Sequence, residues 1–383
     1  MLKGIKNVKL LTPQGYLNGN IEIEDGKIKR ISSSQAIEGI CFNEDVIVVP
    51  GFIDEHIHGA NGSDVMDSSI DSLRNMSTTL VKEGTTSFLA TTMTQKETVV
   101  TDALQNVNEY MKLKDSSGAE VLGVHLEGPF INEKACGAQP KEYIVNPSIA
   151  QFKKYQEASG NHIKIVTIAP EAEGGYDLIR FCKENNIIAS IGHTKANYLE
   201  TVQAIEEGAC SVTHCFNAMT GIHHREIGVV GGSFLHQKLN AEVIVDGIHV
   251  HPKAVELLYN NKGKENITLI TDSMRAKGLE DGEYELGGQK VFVENNEARL
   301  IDKTLAGSVL KMIDAVKNSI KFLGISLEDA VLMASTNPAK KLNIYDKKGS
   351  IEVGKDADLV ILDKDLDILM TIVKGKIVYQ KGV

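Results

Sequence analysis

Short apolar runs alternate with longer helical segments through the middle of the chain, and turn residues separate the runs. This alternation predicts βαβ units, in which helical crossovers join parallel strands. Eight runs are predicted as strands: Val46–His58, Thr86–Thr92, Val121–Glu127, Ile163–Ala169, Ile187–His193, Ser211–Phe216, Glu242–Asp246 and Ile267–Asp272. Eight strands with helical crossovers close a TIM-type barrel, and no Gly-x-Gly-x-x-Gly loop favours a dinucleotide-binding open sheet instead. We therefore predict an α/β protein built on a (β/α)8 barrel.

The two ends of the chain have a different pattern, in which short β-type runs are separated by turn residues. Near the start, Ile21–Glu24 and Lys27–Ile31 flank Asp25-Gly26, a dipeptide that favours the type I′ hairpin turn. Near the end, Ala357–Leu362 and Met370–Tyr379 are apolar and β-branched. These patterns predict one small β-sandwich domain assembled from both chain termini. Its two parts are residues 1–50 and 345–383, and the barrel occupies residues 51–344.

The composition excludes several classes of function. The chain has 383 residues, of which 42% are hydrophobic and 24% charged, and a formal net charge of −10. This balance argues against non-specific nucleic-acid binding, which needs clustered Lys and Arg, although one local basic pocket can still bind a small anion. The start of the chain lacks a signal-peptide pattern, and no run approaches the roughly 18 apolar residues of a membrane helix. We expect a cytoplasmic protein that binds neither nucleic acid nor membranes.

The cysteines do not indicate a disulfide framework or a thiolate zinc site. Their number is odd, and none are spaced as Cys-x-x-Cys. The five positions are Cys41, Cys136, Cys182, Cys210 and Cys215.

Residues with metal-binding side chains end five of the eight predicted strands. In a barrel the carboxyl ends of the strands converge on one mouth, so these side chains are expected to meet. Imidazole and carboxylate together suit zinc or a similar first-row divalent ion, and the absence of thiolate ligands indicates a catalytic site. The strand ends are His56-Ile57-His58, His125-Leu126-Glu127, His193, His214 and Asp272.

Each of these signals has a structural alternative when taken alone. His56 and His58 lie two residues apart on a strand, so they face the same side and can chelate one ion, but strand histidines are often only hydrogen-bonded. Asp272 could simply cap the helix that follows. The coincidence of five strand ends favours the metal site, in which a carboxylate such as Glu127 could bridge two ions.

The same residues lie in segments that resemble a known family. The order of these segments resembles the amidohydrolase superfamily and, within it, the N-acetylglucosamine-6-phosphate deacetylase family, nearly end to end. The segments are Pro50-Gly51-Phe52-Ile53-Asp54-x-His56-x-His58-Gly59, His125-Leu126-Glu127-Gly128-Pro129-Phe130, Gly192-His193-Thr194, Thr213-His214-x-Phe216-Asn217-Ala218-Met219 and Thr271-Asp272.

This resemblance implies a divalent metal cofactor. Glu127, His193 and His214 would hold the main ion, while His56 and His58 would allow a second ion bridged by Glu127. Some members replace the two histidines and use one ion, so one or two ions per subunit are expected. Zinc is the expected metal, with iron, manganese, cobalt and nickel as alternatives.

The resemblance also implies a phosphorylated amino sugar as substrate and a homodimer as the assembly. It places a phosphate-binding arginine at Arg225, in the loop after the sixth strand with His223 and His224, and this arginine could reach the neighbouring subunit. Loops after the later barrel strands often build phosphate sites, and Arg offers bidentate donors. Gln139 stands where some members have His. The implied substrate-binding positions are Gln139, Asn217, Ala218, Arg225, His249, Ala306, Gly307 and Ser308.

The implied reaction hydrolyses the acetamide of N-acetylglucosamine 6-phosphate to acetate and glucosamine 6-phosphate, in amino-sugar catabolism and cell-wall recycling. An acetamide is a poor electrophile and water a poor nucleophile, and a bound metal ion improves both. Asp272 would take a proton from the water and return it to the leaving amine. His249 would stabilise the oxyanion or bind substrate.

Two alternatives have different functions. A dihydroorotase, hydantoinase or nucleobase deaminase would use the same metals on another C–N bond, but cyclic-amide members usually bridge their metals with a modified lysine, where this chain has Glu127. A non-catalytic scaffold on the same fold usually lacks metal ligands, whereas this chain retains all of them.

Overall fold

The computed structural model describes residues 1–34, 37–42 and 45–382. Its strands in chain order are β1 (Gly4–Thr12), β2 (Gly15–Glu24), β3 (Lys27–Ser32), β4 (Ile40–Cys41), β5 (Ile47–Pro50), β6 (Phe52–Ile57), β7 (Gly59–Ala60), β8 (Ser63–Asp64), β9 (Thr85–Thr91), β10 (Glu120–Glu127), β11 (Ile163–Ile168), β12 (Ile188–Ile191), β13 (Ser211–Val212), β14 (Asn240–Ile244), β15 (Ile267–Ile270), β16 (Gly282–Leu286), β17 (Gln289–Glu294), β18 (Glu297–Leu300), β19 (Leu359–Leu362), β20 (Ile368–Val373) and β21 (Lys376–Gln380).

The helices in chain order are α1 (Ile70–Leu80), α2 (Glu97–Leu113), α3 (Ile149–Ala158), α4 (Gly175–Glu184), α5 (Tyr198–Glu207), α6 (Gly228–Leu235), α7 (Pro252–Lys262), α8 (Met312–Leu323), α9 (Leu327–Val331) and α10 (Asn337–Lys341). A π-helical turn, Leu332–Thr336, joins the last two. Single 3-10 turns cover Val65–Asp67, Val81–Glu83, Glu133–Ala135, Lys141–Tyr143 and Lys264–Asn266. Within the described ranges, no helix combines the length and apolar character that crossing a membrane requires.

The predicted (β/α)8 barrel is confirmed. Its eight parallel strands are ordered β6, β9, β10, β11, β12, β13, β14 and β15. The ends of the first and last strands are bonded to each other, because the backbone N–H of Asp272 donates to the carbonyl of His56 over 2.9 Å and that of His58 donates to Ser273 over 2.9 Å. The carboxyl ends of the strands therefore surround one mouth.

The barrel strands are buried on both faces. Every residue of β6, β9 and β15 is buried, since one face packs inside the barrel and the other packs against helices. The surrounding helices are amphipathic, and α8 buries Met312, Val316 and Ser319 along one side. The barrel and its helices share a single large core.

The predicted strand Val46–His58 is wrong as one element, because it forms two strands in two different sheets. β5 pairs with β19, with Pro50 opposite Leu359, whereas β6 begins the barrel. Gly51 lies at the crossover, where its N–H donates to the carbonyl of Asp358 over 2.9 Å. The residues from Val46 to Ile53 are all apolar or glycine, so the hydrophobic pattern continues across the boundary between the sheets.

The β domain predicted from both termini is a single eight-stranded sheet, ordered β21-β20-β19-β5-β1-β2-β3 with β4 beside β1. The predicted hairpin turn is confirmed, since Asp25 and Gly26 both have positive φ, 52° and 78°. The predicted run Met370–Tyr379 is divided between β20 and β21 by a turn at Lys374-Gly375. The N–H of Ala357 donates to the carbonyl of Gly26 over 2.8 Å, so the sheet curls back on itself. It encloses a separate apolar core.

Seven of the eight barrel strands end one to four residues earlier than predicted, and only β10 ends where predicted, at Glu127. β13 contains only Ser211 and Val212, and β12 ends at Ile191. The predicted strands continued to Phe216 and His193, but His193 and His214 have φ of 46° and 31°. A positive φ is incompatible with an extended strand, so both histidines lie in the loops that follow.

A three-stranded antiparallel sheet, β16–β18, follows the last barrel strand and was not among the predicted elements. It packs on Met93, Met274 and Ala306 in a small core of its own. Gln289 also donates its side-chain N–H to the carbonyl of Ala138 over 2.6 Å. This sheet therefore covers part of the barrel mouth.

The crossover at Gly51 generates a stability prediction. A Cβ atom there would lie 2.1 Å from Oγ1 of Thr86, a buried β-branched residue with little freedom to move. We expect Gly51→Ala to lower the free energy of unfolding by about 1–3 kcal/mol through overpacking. Gly221→Ala is the control, because no atom lies within 4 Å of its added Cβ. Urea unfolding followed by circular dichroism measures both, and equal stabilities would contradict the prediction.

Candidate active site and metal centre

Of the three groups of possible metal ligands among the described residues, His56 with His125 and Glu242 forms one, and the other two lie side by side at the mouth of the barrel. One contains Glu127, His193 and His214, and the other contains His56, His58 and Asp272. Within each group, the ligand atoms lie within 4.8 Å of one another and all the residues are buried. The side chains singled out at the strand ends are thus brought together, with one exception: His125 points elsewhere, and its Nε2 lies 2.8 Å from Oγ1 of Thr167.

The first group surrounds a single point. Oε1 of Glu127 lies 3.2 Å from Nε2 of His193 and 3.0 Å from Nε2 of His214, and the two Nε2 atoms are 3.1 Å apart. A tetrahedral zinc ion with bonds of about 2.0–2.1 Å separates its ligand atoms by about 3.3 Å. The spacing of these three atoms therefore fits one divalent ion.

The second group shares Glu127 with the first. Oδ1 of Asp272 lies 3.4 Å from Nε2 of His56 and 3.1 Å from Nε2 of His58. Nε2 of His58 is also 3.3 Å from Oε2 of Glu127. Nε2 of His56 is buried without a hydrogen-bond partner among the described residues, so it has an unused lone pair or proton. This donor set fits a second ion bridged by Glu127.

Backbone contacts orient two of the imidazole rings. Nδ1 of His193 lies 2.9 Å from the carbonyl of Ala135, and Nδ1 of His58 lies 3.2 Å from the carbonyl of Thr91. A carbonyl can only accept a hydrogen bond, so Nδ1 is the donor in both rings and Nε2 is the nitrogen that would face a cation.

Three of the strand-end residues have a left-handed backbone. The φ angles of His193, His214 and Asp272 are 46°, 31° and 49°. Such conformations cost about 1–3 kcal/mol each in residues other than glycine and persist only where neighbouring structure imposes them. Here they turn the chain sharply where it leaves β12, β13 and β15, so that each side chain points into the mouth.

The electrostatics of the site favour positive charge at its centre. Burial alone would raise the pKa of Glu127, yet the charge of the surrounding imidazoles, His56 first, holds it well below its ordinary value. Burial alone would lower the pKa of His58, but Asp272 and Glu127 raise it to about 9. Burial would raise the pKa of Asp272, and His56 and His58 instead lower it to about 2. The two carboxylates therefore stay ionised, and a divalent cation would supply the charge they attract.

The mouth opens into a cleft of about 350 Å³ beside the two groups. Of the predicted substrate-binding residues, Gln139, Asn217, Ala218, His249 and Gly307 line it. His249 is held by Asp246, whose Oδ2 lies 2.6 Å from Nδ1 of the ring. The other ring nitrogen is therefore free to contact a ligand in the cleft.

Gln139 has a second contact that the sequence did not predict. Its side-chain N–H donates to Oε2 of Glu127 over 2.7 Å, and its carbonyl oxygen accepts the backbone N–H of Thr94 over 2.7 Å. The amide therefore orients the carboxylate that both ligand groups share.

The remaining predicted substrate-binding residues do not line the cleft. Ala306 and Ser308 are buried behind it, and the Ser308 hydroxyl donates to the carbonyl of Thr271 over 2.6 Å. Arg225 lies in an exposed loop, where its guanidinium contacts the ring of His224 at 2.5 Å. A single copy of the chain therefore leaves Arg225 outside the cleft.

Sequence reasoning missed two cations at the mouth. Lys134 and Lys195 line the cleft and are exposed. Within the part of the chain that the structure describes, the ammonium group of neither lysine has a carboxylate partner. The sequence could have indicated both lysines, because each lies close to a predicted site residue, Lys134 to Gln139 and Lys195 to His193. They give the entrance of an acidic protein a local positive charge.

Comparison with known proteins gives consistent matches along the chain. A model of the amidohydrolase family matches residues 47–378. The N-acetylglucosamine-6-phosphate deacetylase of Bacillus subtilis (strain 168) is 47% identical over 382 residues, which cover 98% of this chain and 96% of that protein. The N-acetylgalactosamine-6-phosphate deacetylase of Escherichia coli O157:H7 is 35% identical over 370 residues, which cover 96% of this chain and 97% of that protein. A mutant N-acetyl-D-glucosamine-6-phosphate deacetylase from Mycobacterium smegmatis, solved in complex with N-acetyl-D-glucosamine-6-phosphate, has a TM-score of 0.93 at 29% identity and covers 99% of each chain.

The geometry of the first group predicts which residues hold the main ion. We expect His193→Asn and His214→Asn each to lose bound metal, because an amide side chain cannot place a nitrogen where Nε2 lies. Elemental analysis of purified, dialysed protein measures the loss. His236→Asn, at the end of α6, is the control and should keep full occupancy. Full occupancy in both site variants would contradict the assignment.

Proposed function

The chain belongs to the amidohydrolase family and, within it, to the N-acetylglucosamine-6-phosphate deacetylases, and we propose that it hydrolyses the acetamide of N-acetylglucosamine 6-phosphate to acetate and glucosamine 6-phosphate. The observation that carries the proposal is the Glu127-centred ligand cluster with Asp272 beside it at the base of a cleft. The 47% identity to the Bacillus subtilis deacetylase over nearly the whole chain supports the same substrate.

We propose that the site holds one or two divalent ions, with zinc as the expected metal. Glu127, His193 and His214 would hold the first ion, and His56, His58 and Glu127 the second. A divalent ion bound there supplies the Lewis acidity that activates water and polarises an amide carbonyl. The buried imidazole and carboxylate donors, without a thiolate, are the set that first-row divalent metals prefer.

Asp272 is the proposed proton carrier. Its carboxylate lines the cleft, and its pKa, lowered to about 2 against the effect of burial, keeps it ionised at neutral pH. An ionised carboxylate accepts the proton of the attacking water at Oδ and then donates it to the amine nitrogen, which cannot leave as an anion. The backbone bond from Asp272 to His56 holds the group in place.

Recognition of the phosphate is assigned to three cations. Lys134 and Lys195 lie at the entrance of the cleft, and Arg225 would come from the neighbouring subunit of a homodimer, because its own loop is exposed. The segment around Arg225 also exposes apolar side chains, with 56% of Ile222 and 62% of Leu235 accessible. Such residues are suited to burial against a second copy of the chain.

The choice between two sugar epimers rests on the comparisons. A relative that acts on the galactose epimer is 35% identical, whereas the deacetylase of the glucose epimer from Bacillus subtilis is 47% identical. Acetate release should therefore be fastest with N-acetylglucosamine 6-phosphate, slower with N-acetylgalactosamine 6-phosphate and slowest with unphosphorylated N-acetylglucosamine. Absence of acetate release from both phosphorylated sugars by metal-loaded protein would overturn the proposed function.

Replacement of the proton carrier should separate catalysis from metal binding. We expect Asp272→Asn to lower kcat by about 10²–10⁴-fold, because the amide keeps the shape but cannot accept the proton. Elemental analysis should still find the ion proposed for Glu127, His193 and His214, because Asp272 is not a member of that group. Near-normal turnover in a variant with normal metal content would remove Asp272 from the mechanism.

Replacement of the phosphate-binding cations should affect only the phosphorylated substrate. We expect Arg225→Ala to lower kcat/KM for N-acetylglucosamine 6-phosphate by about 30-fold, equivalent to about 2 kcal/mol for a lost charge-assisted contact. Lys195→Met should lower it by about 3–10-fold, since that lysine is exposed and screened. Lys164→Met, on the exposed start of β11, is the matched control. Equal losses on the unphosphorylated sugar would show an effect on folding or assembly instead.

A further inference from the structure

A charged side chain enters the barrel from below the proposed active site. Lys341 is the last residue of α10, its side chain is only 7% exposed, and its ammonium group makes three contacts inside the barrel. Nζ lies 2.7 Å from Oε1 of Glu55, 2.6 Å from Oγ of Ser211 and 3.2 Å from Oε1 of Glu242. An ammonium group has three N–H donors, so all of them are in use and the lysine is fixed.

Glu242, on β14, connects this lysine to the mouth of the barrel. One carboxylate oxygen contacts Lys341, while the other, Oε2, lies 3.1 Å from Nδ1 of His56 and accepts the backbone N–H of His214 over 3.4 Å. The Glu242 side chain is fully buried. It therefore contacts a side chain from one of the two ligand groups at the mouth and the backbone of the other, and it also belongs to the third group, with His56 and His125.

The contact with His56 determines which ring nitrogen is available. The carboxylate accepts a hydrogen bond from Nδ1, which leaves Nε2 as the nitrogen directed toward Glu127 and Asp272, 3.4 Å from each. Backbone carbonyls do the same for His58 and His193. His56 is the one of these rings whose orientation depends on a carboxylate side chain, and a carboxylate partner also makes an imidazole a stronger ligand.

We propose that Glu242, oriented by Lys341, is a positioning residue that sets the affinity of the second metal position through His56. The inference rests on the proposed metal-dependent function. It goes beyond that function because it makes the occupancy of the second metal position depend on the ion pair between Lys341 and Glu242. The first position depends on Glu127, His193 and His214, so loss of the Glu242 contact should affect the two positions unequally.

The experiment uses the full chain and titrates Zn²⁺ into metal-free protein, with calorimetry and elemental analysis as readouts. We expect Glu242→Gln to retain one tightly bound ion and to weaken the second by about 10–100-fold, the range for loss of such an outer partner. His56→Asn should show the same pattern. Glu55→Gln is the matched control, because Glu55 is equally buried and also contacts Lys341, whereas its side chain has no contact with His56. This variant should bind both ions with unchanged affinity.

The outcomes separate this inference from the function on which it rests. An unmodified chain that binds no ion would overturn the metal-dependent function, and one that binds a single ion would overturn only the second position. Two ions of unchanged affinity in Glu242→Gln would overturn the positioning role, as would an equal loss in Glu55→Gln. If Glu242→Gln does not fold, Lys341→Met replaces it, since the same selective weakening is expected when the carboxylate loses its orientation.

Discussion

Glu127 is a carboxylate that the fold removes almost completely from water, and the active site is arranged around its charge. An isolated buried carboxylate would cost many kcal/mol, so its oxygens must be surrounded by donors or by cations. Four imidazoles and the amide of Gln139 meet this requirement. The imidazoles come from the ends of three strands, β6, β12 and β13, and the amide comes from the loop after β10, so they can meet only when the barrel is closed. Closure of the sheet and formation of the site are therefore one event, and errors in strand register would leave the carboxylate without partners.

The convergence of these side chains could be predicted from the sequence because it follows from a general rule. Parallel strands in a barrel present their carboxyl ends at one mouth, so a ligand-type residue at the end of an apolar run can be placed without knowing any contact. The same rule could not locate the ends of the strands. His193 and His214 were predicted inside strands, yet both adopt positive φ just beyond them. A histidine in the sequence does not indicate a positive φ, because the neighbouring loops impose that backbone conformation.

The contacts that orient the ligands could not be predicted, because they join residues far apart in the chain. Lys341 and Glu55 are separated by 286 positions, and Glu242 and His56 by 186. A hydrophobic pattern records which residues are buried but not which buried polar groups meet. The crossover at Gly51 was missed for a related reason, since the apolar run of β5 continues through Gly51 into Phe52 and Ile53 of β6. The β16–β18 sheet is half exposed, so it lacked the apolar run by which the other strands were predicted.

This sheet nevertheless takes part in the geometry of the proton carrier. The segment that returns from β18 to the barrel contains Ser308, whose backbone N–H donates to the carbonyl of Asp272 over 2.8 Å, while the N–H of Asp272 donates to His56. Asp272 is therefore held between the first barrel strand and the returning segment, and both bonds are needed to keep its left-handed backbone. The Ser308 hydroxyl, which donates to Thr271, adds a third contact on the same turn. The segment 306–308, which the family resemblance assigns to substrate binding, thus also has a structural role. Two of its contacts position the carboxylate that would move the proton.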